Sequence, residues 1–342
     1  MTVMIGIDPH KASHTAVVIA NTECVLDALR VRACSKQTDQ LRGWAAPFPD
    51  RVWAIESARG LGYLLAQQLV AAGEVVVDVP AVLSTRTRLL GSGRAQKNDP
   101  NDARSVAIAA LRSDALGRVV LDDHARVLKL LVKRHRDLGR LKNKAACRLH
   151  ALLMELAPGG MAKRMSVTRA NEILDRIEPA TQMQAHRLAV ARETLADIVH
   201  YESQMKASMK RLRSAVAASG TSLVDIRGVG VVAAAMIIGQ TGDVSRFASA
   251  AHFASYNATA PIEASSGEKK RHRLNQRGNR QLNWAIHVAA ITQLRQPCAG
   301  REYYDRKRAE GKNSKEAIRA LKRQLSNVIY RSLVADAHRL EQ

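Results

Sequence analysis

Aromatic residues make up only 4% of this 342-residue chain, too few for the ring platforms on which single-stranded bases commonly stack. Its four cysteines, Cys24, Cys34, Cys147 and Cys298, are scattered and never stand as C-x-x-C. Neither a disulfide framework nor a cysteine-based zinc site is therefore expected. Cys147 and His150 lie one helical turn apart, but no second pair completes a metal site. The longest apolar runs, such as Val229–Gly239, fall well short of the ~20 residues of a membrane span. The opening MTVMIGIDPHK has a carboxylate at Asp8 and neither a basic start nor a cleavage signature, so no secretion signal is expected. Acid is scarce as well: 31 Asp+Glu face 53 Lys+Arg, a net charge of +22. With 46% hydrophobic residues the chain can bury cores for two domains, which excludes wholesale disorder. A soluble cytoplasmic protein with a polyanionic partner, nucleic acid foremost, is the expectation.

What is present begins as α/β. Val3–Ile7, Thr15–Ala20 and Val25–Val31 read as three strands of antiparallel character, with a turn at Asn21–Glu23. Gln37–Ala46 reads as a helix, Arg51–Ile55 as a strand ending at Glu56, Gly60–Ala72 as a helix and Val75–Val79 as a further strand. That order predicts a mixed sheet with helices on its faces. Beyond Asp99 the pattern turns helical. Over His124–Leu156, apolar residues recur at Leu128, Leu131, Leu138, Leu141, Ala145, Leu149, Leu152 and Leu156, the seam of a long amphipathic or coiled-coil helix. Nine Lys/Arg against Asp137 and Glu155 make its outer face basic, with Lys133, Arg134 and Arg140 as candidate nucleic-acid contacts. Pro158-Gly159-Gly160 ends it, and Gln182–Ser214 returns as an antiparallel partner. The division predicted is 1–122, 123–218 and 219–342.

In the last third, Ile226-Arg227-Gly228-Val229-Gly230 before the apolar helix Val231–Ile238 resembles half of a helix-hairpin-helix. There Arg227, Gly228 and Gly230 would bring backbone N–H groups to a phosphate; glycines needed only for a tight turn are the alternative. Residues 269–280 hold six cations and no acid, namely Lys269, Lys270, Arg271, Arg273, Arg277 and Arg280, and Arg301–Arg323 holds nine more. Phosphate binding is the expected use of these clusters.

Four acids stand at telling places. Asp8 closes the first strand, Glu56 ends a later one, and Asp99 and Asp102 open a helix within KNDPNDA. Asp99 with Pro100 also makes a good helix start, with Asp99 as N-cap and Pro100 at the first helical position. The i, i+3 spacing puts Asp99 and Asp102 on neighbouring surface, and all four acids can converge at one sheet edge. Four hard oxygen donors suit Mg²⁺ or Mn²⁺, and clustered carboxylates on a strongly basic protein need a cation to tolerate phosphate. Metal-dependent phosphodiester chemistry is the economical expectation.

The segments IGIDPHK, AIESARGLG and KNDPNDA resemble the DEDD catalytic set of a RuvC-like, ribonuclease-H-type domain, and more specifically the transposases of the insertion-sequence family called IS one-ten. The later IRGVG turn, the GD…RF segment, the SG pair and the RGNR segment are similar to that family's C-terminal transposase domain. The likeness covers about residues 3–112 and 220–335. Two departures are Asn98, where the family commonly has Thr, and Tyr256–Pro261, where it often has YLGL before a proline. The resemblance implies a composite site: Asp8, Glu56, Asp99 and Asp102 on the metal, and Ser266, with Ser265 as second choice, as a nucleophile forming a phosphoserine link to DNA. A serine needs activation for this, which the metal and nearby Lys269, Lys270 and Arg271 would supply. It also implies donor and target double-stranded DNA, a structured non-coding guide (bridge) RNA, a homo-oligomer (dimer or tetramer) and a place at the nucleoid. The alternatives are a Holliday-junction or structure-specific endonuclease using metal-activated water, and a basic architectural protein without catalysis. Tyr303 and Tyr304 are expected to pack or touch phosphate rather than to act as nucleophiles.

Overall fold

Strands buried on both faces organise the first part of the computed structural model, which describes residues 2–92, 98–113, 116–161, 166–263, 272–273, 275 and 278–340. Two compact units are present, Met1–Asp122 and Asp123–Gln342. In the first, β1 (Val3–Pro9), β2 (Ser13–Ile19), β3 (Val25–Arg32), β4 (Arg51–Glu56) and β5 (Val76–Val79) form one sheet in the order β3-β2-β1-β4-β5. The first three strands pair antiparallel, whereas β4 runs parallel to both β1 and β5. Ile5, Ile7, Ala16 and Val18 face a core with Leu41 of α1 (Gln37–Trp44) and Leu65 and Leu69 of α2 (Tyr63–Ala71). Their neighbours Val17 and Ile19 face Ala103 and Ala107 of α4 (Asp99–Leu111), and α3 (Ala81–Ser92) packs beside α4. This is the mixed sheet covered on both faces that the RuvC-like, ribonuclease-H-type reading implied.

One residue sets how closely α4 lies on the sheet. A Cβ at Gly6 would sit 2.1 Å from the Ala103 carbonyl oxygen and 2.5 Å from the Ala107 nitrogen. No side chain fits there, so the glycine of IGID is a packing requirement.

The second unit is helical. α5 (His124–Leu156) has the boundaries its periodicity predicts; Asp123 caps it by accepting from Arg126 N at 2.9 Å. α6 (Val167–Asp175) follows, and α7 (Gln182–Ala218) runs one turn beyond its expected end. The seam of α5 differs in part from expectation. Leu128, Leu138, Ala145 and Leu149 are buried, but Leu141 is 40% exposed, while Val132, His135 and Leu153 turn inward. Lys142 stands near the position Leu141 would have taken and pairs with Glu202 of α7 at 2.7 Å. Three-and-four spacing allows more than one inward set; the α7 partner chose between them.

Near its start α5 shares a core with the end of α7 (Leu128 and Val132 with Leu212 and Val216), and the same core takes in α8 (Val231–Thr241), α10 (Arg280–Gln293) and α12 (Ser314–Leu340). The far end, Leu149 and Leu153 with Ala191 and Leu195, closes over Ala170 and Leu174 of α6. The pair is therefore antiparallel, and 123–342 is one unit because one core crosses residue 218. Between α8 and α10 lie α9 (Ala250–Tyr256) and the short pair β6 (Ile262–Glu263) and β7 (His272–Arg273); α11 (Ala299–Ala309) precedes α12. No helix among the described residues is long and apolar enough to cross a membrane.

Candidate active site

Asp8 lies two residues after Gly6 and Glu56 two after Ala54, residues that both pack towards α4, so both carboxylates belong to the α4 face. The parallel register Ile7↔Ile55 brings the two strand ends together. α4 enters above them with Asp99 and Asp102 in its first turn. The four predicted acids thus gather at the C-terminal ends of the two central parallel strands rather than along a lateral sheet edge. That is where open α/β sheets place ligands.

The helix start differs from expectation in one atom-level respect. Asn98, not Asp99, is the N-cap, its side chain accepting from Asn101 N at 2.9 Å. Pro100 is consequently the second residue of the helix. Asn and Thr both cap well, so Asn98 keeps a function that the Thr of the resembled family can also serve. Asp99 is released from capping.

Every one of the four acids has a partner. Asp8, 7% exposed, accepts from His10 Nε2 at 3.0 Å. Glu56 accepts from the Ser84 hydroxyl of α3 at 2.8 Å, and Asp102 meets Arg88 Nη1 of the same helix at 2.6 Å. Asp99 is 3.6 Å from both His10 Nε2 and Arg30 Nη2. Burial pushes the Asp8 carboxyl above its ordinary value; His10 opposes that, and the negative charges of Glu56 and Asp102 add to it. The turn after Glu56 is shaped by Asp78, which accepts from Ala58 N at 2.8 Å, with Ser57 at a positive φ of 50°.

The donor set fits a divalent cation. Ligand atoms of Asp8, His10 and Asp99 lie within 4.8 Å of one another, and a buried carboxylate held among like charges is relieved by a cation. Sequence reasoning missed His10 as a site member. Its signal was an acid followed two residues later by a histidine at a strand end, visible in IGIDPHK. Arg30, Ser84 and Arg88 had no such signal, because only tertiary packing brings them to the acids.

The remaining predicted contacts divide. Gly228 has φ +89° and a Cβ there would be 2.5 Å from the Ala289 carbonyl oxygen, so its need is turn geometry and close approach to α10. Gly230 is the N-cap of α8 with open space at its Cβ position. The Arg227 side chain bonds Gln296, and its carbonyl accepts from Gln293. Lys133 is exposed on α5. Arg134 donates to Gln204 at 2.9 Å, and Arg140 pairs with Asp137 at 3.0 Å. Arg280 opens α10, exposed, after the cap Asn279; Arg273 falls in β7. Ser265, Ser266, Lys269, Lys270, Arg271 and Arg277 lie outside the described residues. Cys147 is exposed. Tyr303 and Tyr304 pack at the edge of the second unit's core, with Arg306 over the Tyr303 ring.

Comparison with known proteins agrees with this layout. A family model described as a transposase, of the DEDD type of IS110, matches residues 5–158. A second, the transposase IS116/IS110/IS902 family, matches residues 220–305. Curated relatives include an insertion element IS116 protein of Streptomyces clavuligerus, 25% identical over 97% of this chain and 94% of its own. An IS900 protein of Mycobacterium paratuberculosis is 28% identical over 96% and 94%, and an IS110 protein of Streptomyces coelicolor is 32% identical over 62% and 52%. Among solved structures, Thermus thermophilus RuvC in complex with a Holliday junction substrate is 16% identical, with a TM-score of 0.28, over 35% of this chain and all of the other; the fold assignment stands on strand order and the family models. The DEDD acids at the sheet's end, the two family models and relatives spanning nearly the whole chain place this protein in the IS110 family of DEDD transposases, enzymes of DNA strand transfer.

Proposed function

We propose that this transposase cuts and rejoins DNA at the site formed by Asp8, Glu56, Asp99 and Asp102, through a serine of the Ala264–Gly267 segment. The supporting observation is that ligand atoms of Asp8, His10 and Asp99 lie within 4.8 Å of one another, with Glu56 and Asp102 near enough to Asp8 that burial and their charge destabilise it as an anion. Asp8, Glu56, Asp99 and Asp102, with His10 in reach of two of them, would hold Mg²⁺ or Mn²⁺. Such an ion, when bound, supplies charge stabilisation for phosphoryl displacement. His10 and Arg30 keep Asp8 and Asp99 oriented. Arg88 and Ser84 do the same for Asp102 and Glu56.

In the reaction proposed, the Ser266 oxygen loses its proton and forms a bond to the scissile phosphorus. The bond to the departing sugar oxygen breaks, and that oxygen takes up a proton. Attack by another strand's hydroxyl reverses the sequence and frees the serine. Lys269, Lys270 and Arg271 would neutralise the extra negative charge. Partners in this reading are donor and target duplex DNA, a structured guide RNA on the basic surfaces of 123–342, and further copies of the chain, as a dimer or tetramer. The protein would then work at the nucleoid. Residues 1–122 would carry the carboxylates, 123–218 assembly and nucleic-acid holding, and 219–342 the serine.

The test is Ser266→Ala, with Ser265→Ala beside it, on labelled duplexes carrying the element's ends. Loss of a protein–DNA adduct with retained DNA binding supports the serine reaction. Full cutting by both variants shows that water, not serine, is the nucleophile, as in a junction endonuclease. Unchanged activity of Asp8→Asn would remove the carboxylate site from the mechanism.

A further inference from the structure

A second feature lies away from the carboxylates, on the antiparallel pair α5/α7. A groove of about 520 Å³ there is lined by His135 of α5 and by Met205, Lys206, Met209, Lys210 and Arg213 of α7. On the α5 side Gly139 stands beside Met205, whose methyl carbon lies 3.8 Å from where a Cβ would stand. The three cations are exposed, and none of them forms an ion pair among the described residues. Other cations of the pair are engaged, Lys142 with Glu202, Arg187 with Glu155 and Arg192 with Asp175. Spacing of four and three residues puts Lys206, Lys210 and Arg213 on one helix face, a row about 10 Å long at 1.5 Å per residue. Such a row is longer than one small anion and matches a run of strand phosphates better.

Beneath the cations the surface is apolar. Met205 and Met209 are half-buried, and methionine adapts to flat, polarizable partners. His135 is 9% exposed, and its Nδ1 has no hydrogen-bond partner among the described residues. Burial also lowers the affinity of this imidazole for a proton, so it is a neutral wall rather than a fourth cation. Three unpaired cations over a thioether floor, with an unpartnered ring nitrogen in the wall, answer to a phosphate run together with an unstacked base.

We infer that this α5/α7 groove is a binding site for a single-stranded segment of nucleic acid, phosphates on Lys206, Lys210 and Arg213 and one unstacked base against Met205 and Met209. The inference rests on the nucleic-acid-binding part of the proposed function, not on its cleavage chemistry. Structured RNA and unpaired DNA share this chemistry.

The experiment measures fluorescence anisotropy of the full-length protein with labelled single-stranded RNA, single-stranded DNA and duplex DNA of one sequence, across a salt series. The triple change Lys206→Gln/Lys210→Gln/Arg213→Gln should weaken single-strand binding at least ~10-fold and lower the salt slope by about 2, at 0.7 per lost phosphate contact. Duplex affinity should change by less than ~2-fold. Met205→Ser/Met209→Ser should weaken single-strand binding without altering the slope. The larger loss, with RNA or with DNA, identifies the strand carried. Thermal melting of each variant separates loss of binding from loss of fold. A control, Arg187→Gln/Arg192→Gln, alters cations already paired and should leave binding near wild type. Single-strand affinity unchanged in the triple variant, or lowered no more than in the control, overturns the site, as does an equal loss for the duplex. Wild-type protein that binds none of the three probes overturns the nucleic-acid reading itself.

Discussion

The two units use charge in opposite ways. In residues 1–122 the functional charges are acids, two of them nearly buried, each with a hydroxyl, imidazole or guanidinium partner; Asp8 is 7% and Asp102 9% exposed. On α7 the charges of interest are cations, exposed and without ion-pair partners among the described residues. Buried carboxylates are expensive unless neutralised, so a protein that keeps several together holds them for chemistry. Exposed cations are well solvated and contribute little to stability; they remain free for a mobile polyanion. On the proposed reading, cutting and holding would be built from different electrostatics.

The sharpest way to break the comparison is to remove an acid. Asp8→Asn or Asp102→Asn should lower metal-dependent strand cleavage by about 10³-fold, the scale of losing one strong electrostatic stabiliser, with DNA affinity equal or tighter. Gel assays of cleavage beside anisotropy check this. If cleavage and binding fell together, the acids would be structural.

Gly6→Ala tests the sheet–helix approach that gathers the acids. A Cβ 2.1 Å from the Ala103 oxygen forces α4 outward, costing about 1–3 kcal/mol as overpacking does. Thermal melting should show the loss, and cleavage should fall with it because Asp99 and Asp102 move away from Asp8.

A pH series sharpens the contrast on the stability side. Asp8 has a folded-state proton affinity above its ordinary value, so the fold binds its proton more readily than the unfolded chain does. Its unfavourable contribution is absent below the ordinary carboxylate value, grows as pH rises towards the raised value, and is complete above it. Metal-free Asp8→Asn should therefore melt higher than wild type at neutral pH, by ~1 kcal/mol as for other relieved functional sites. The difference should vanish near pH 3. Wild-type protein more stable than the variant at pH 7 would show that Asp8 is a net structural anion.

The smallest effect concerns the cap. Asn98→Ala should cost about 1 kcal/mol and Asn98→Thr much less, read as shifts in melting temperature. Equal losses would mean that Asn98 does more than cap.

Much of this was legible in the chain. The ends of α5 followed from apolar periodicity and the Pro-Gly-Gly break, both local signals; its capping aspartate, Asp123, became evident only in the structure. The sheet's character followed from short β-branched runs and the order of turns. The four acids stood out because each closes a strand or opens a helix. What stayed illegible depends on partners distant in sequence. Asn98 and Asp99 are both capping residues, and local sequence could not choose between them. Leu141, expected on the seam, is 40% exposed, and its neighbour Lys142 pairs with Glu202 of α7. His10 was visible yet unremarkable without Asp99 folded over it.

By itself the sequence determined the chemistry available: a basic chain, four well-placed carboxylates, two long amphipathic helices and a glycine in the first strand. Residue types and periodicity are local properties, which the chain carries in any conformation. Tertiary structure alone decided which groups meet. It set Arg30, Ser84 and Arg88 against the acids, left Lys206, Lys210 and Arg213 without an ion pair among the described residues beside a methionine floor, and turned Gly6 from a small residue into the reason α4 can reach the sheet. Such pairings depend on distances across the fold, and only close packing of whole elements sets those.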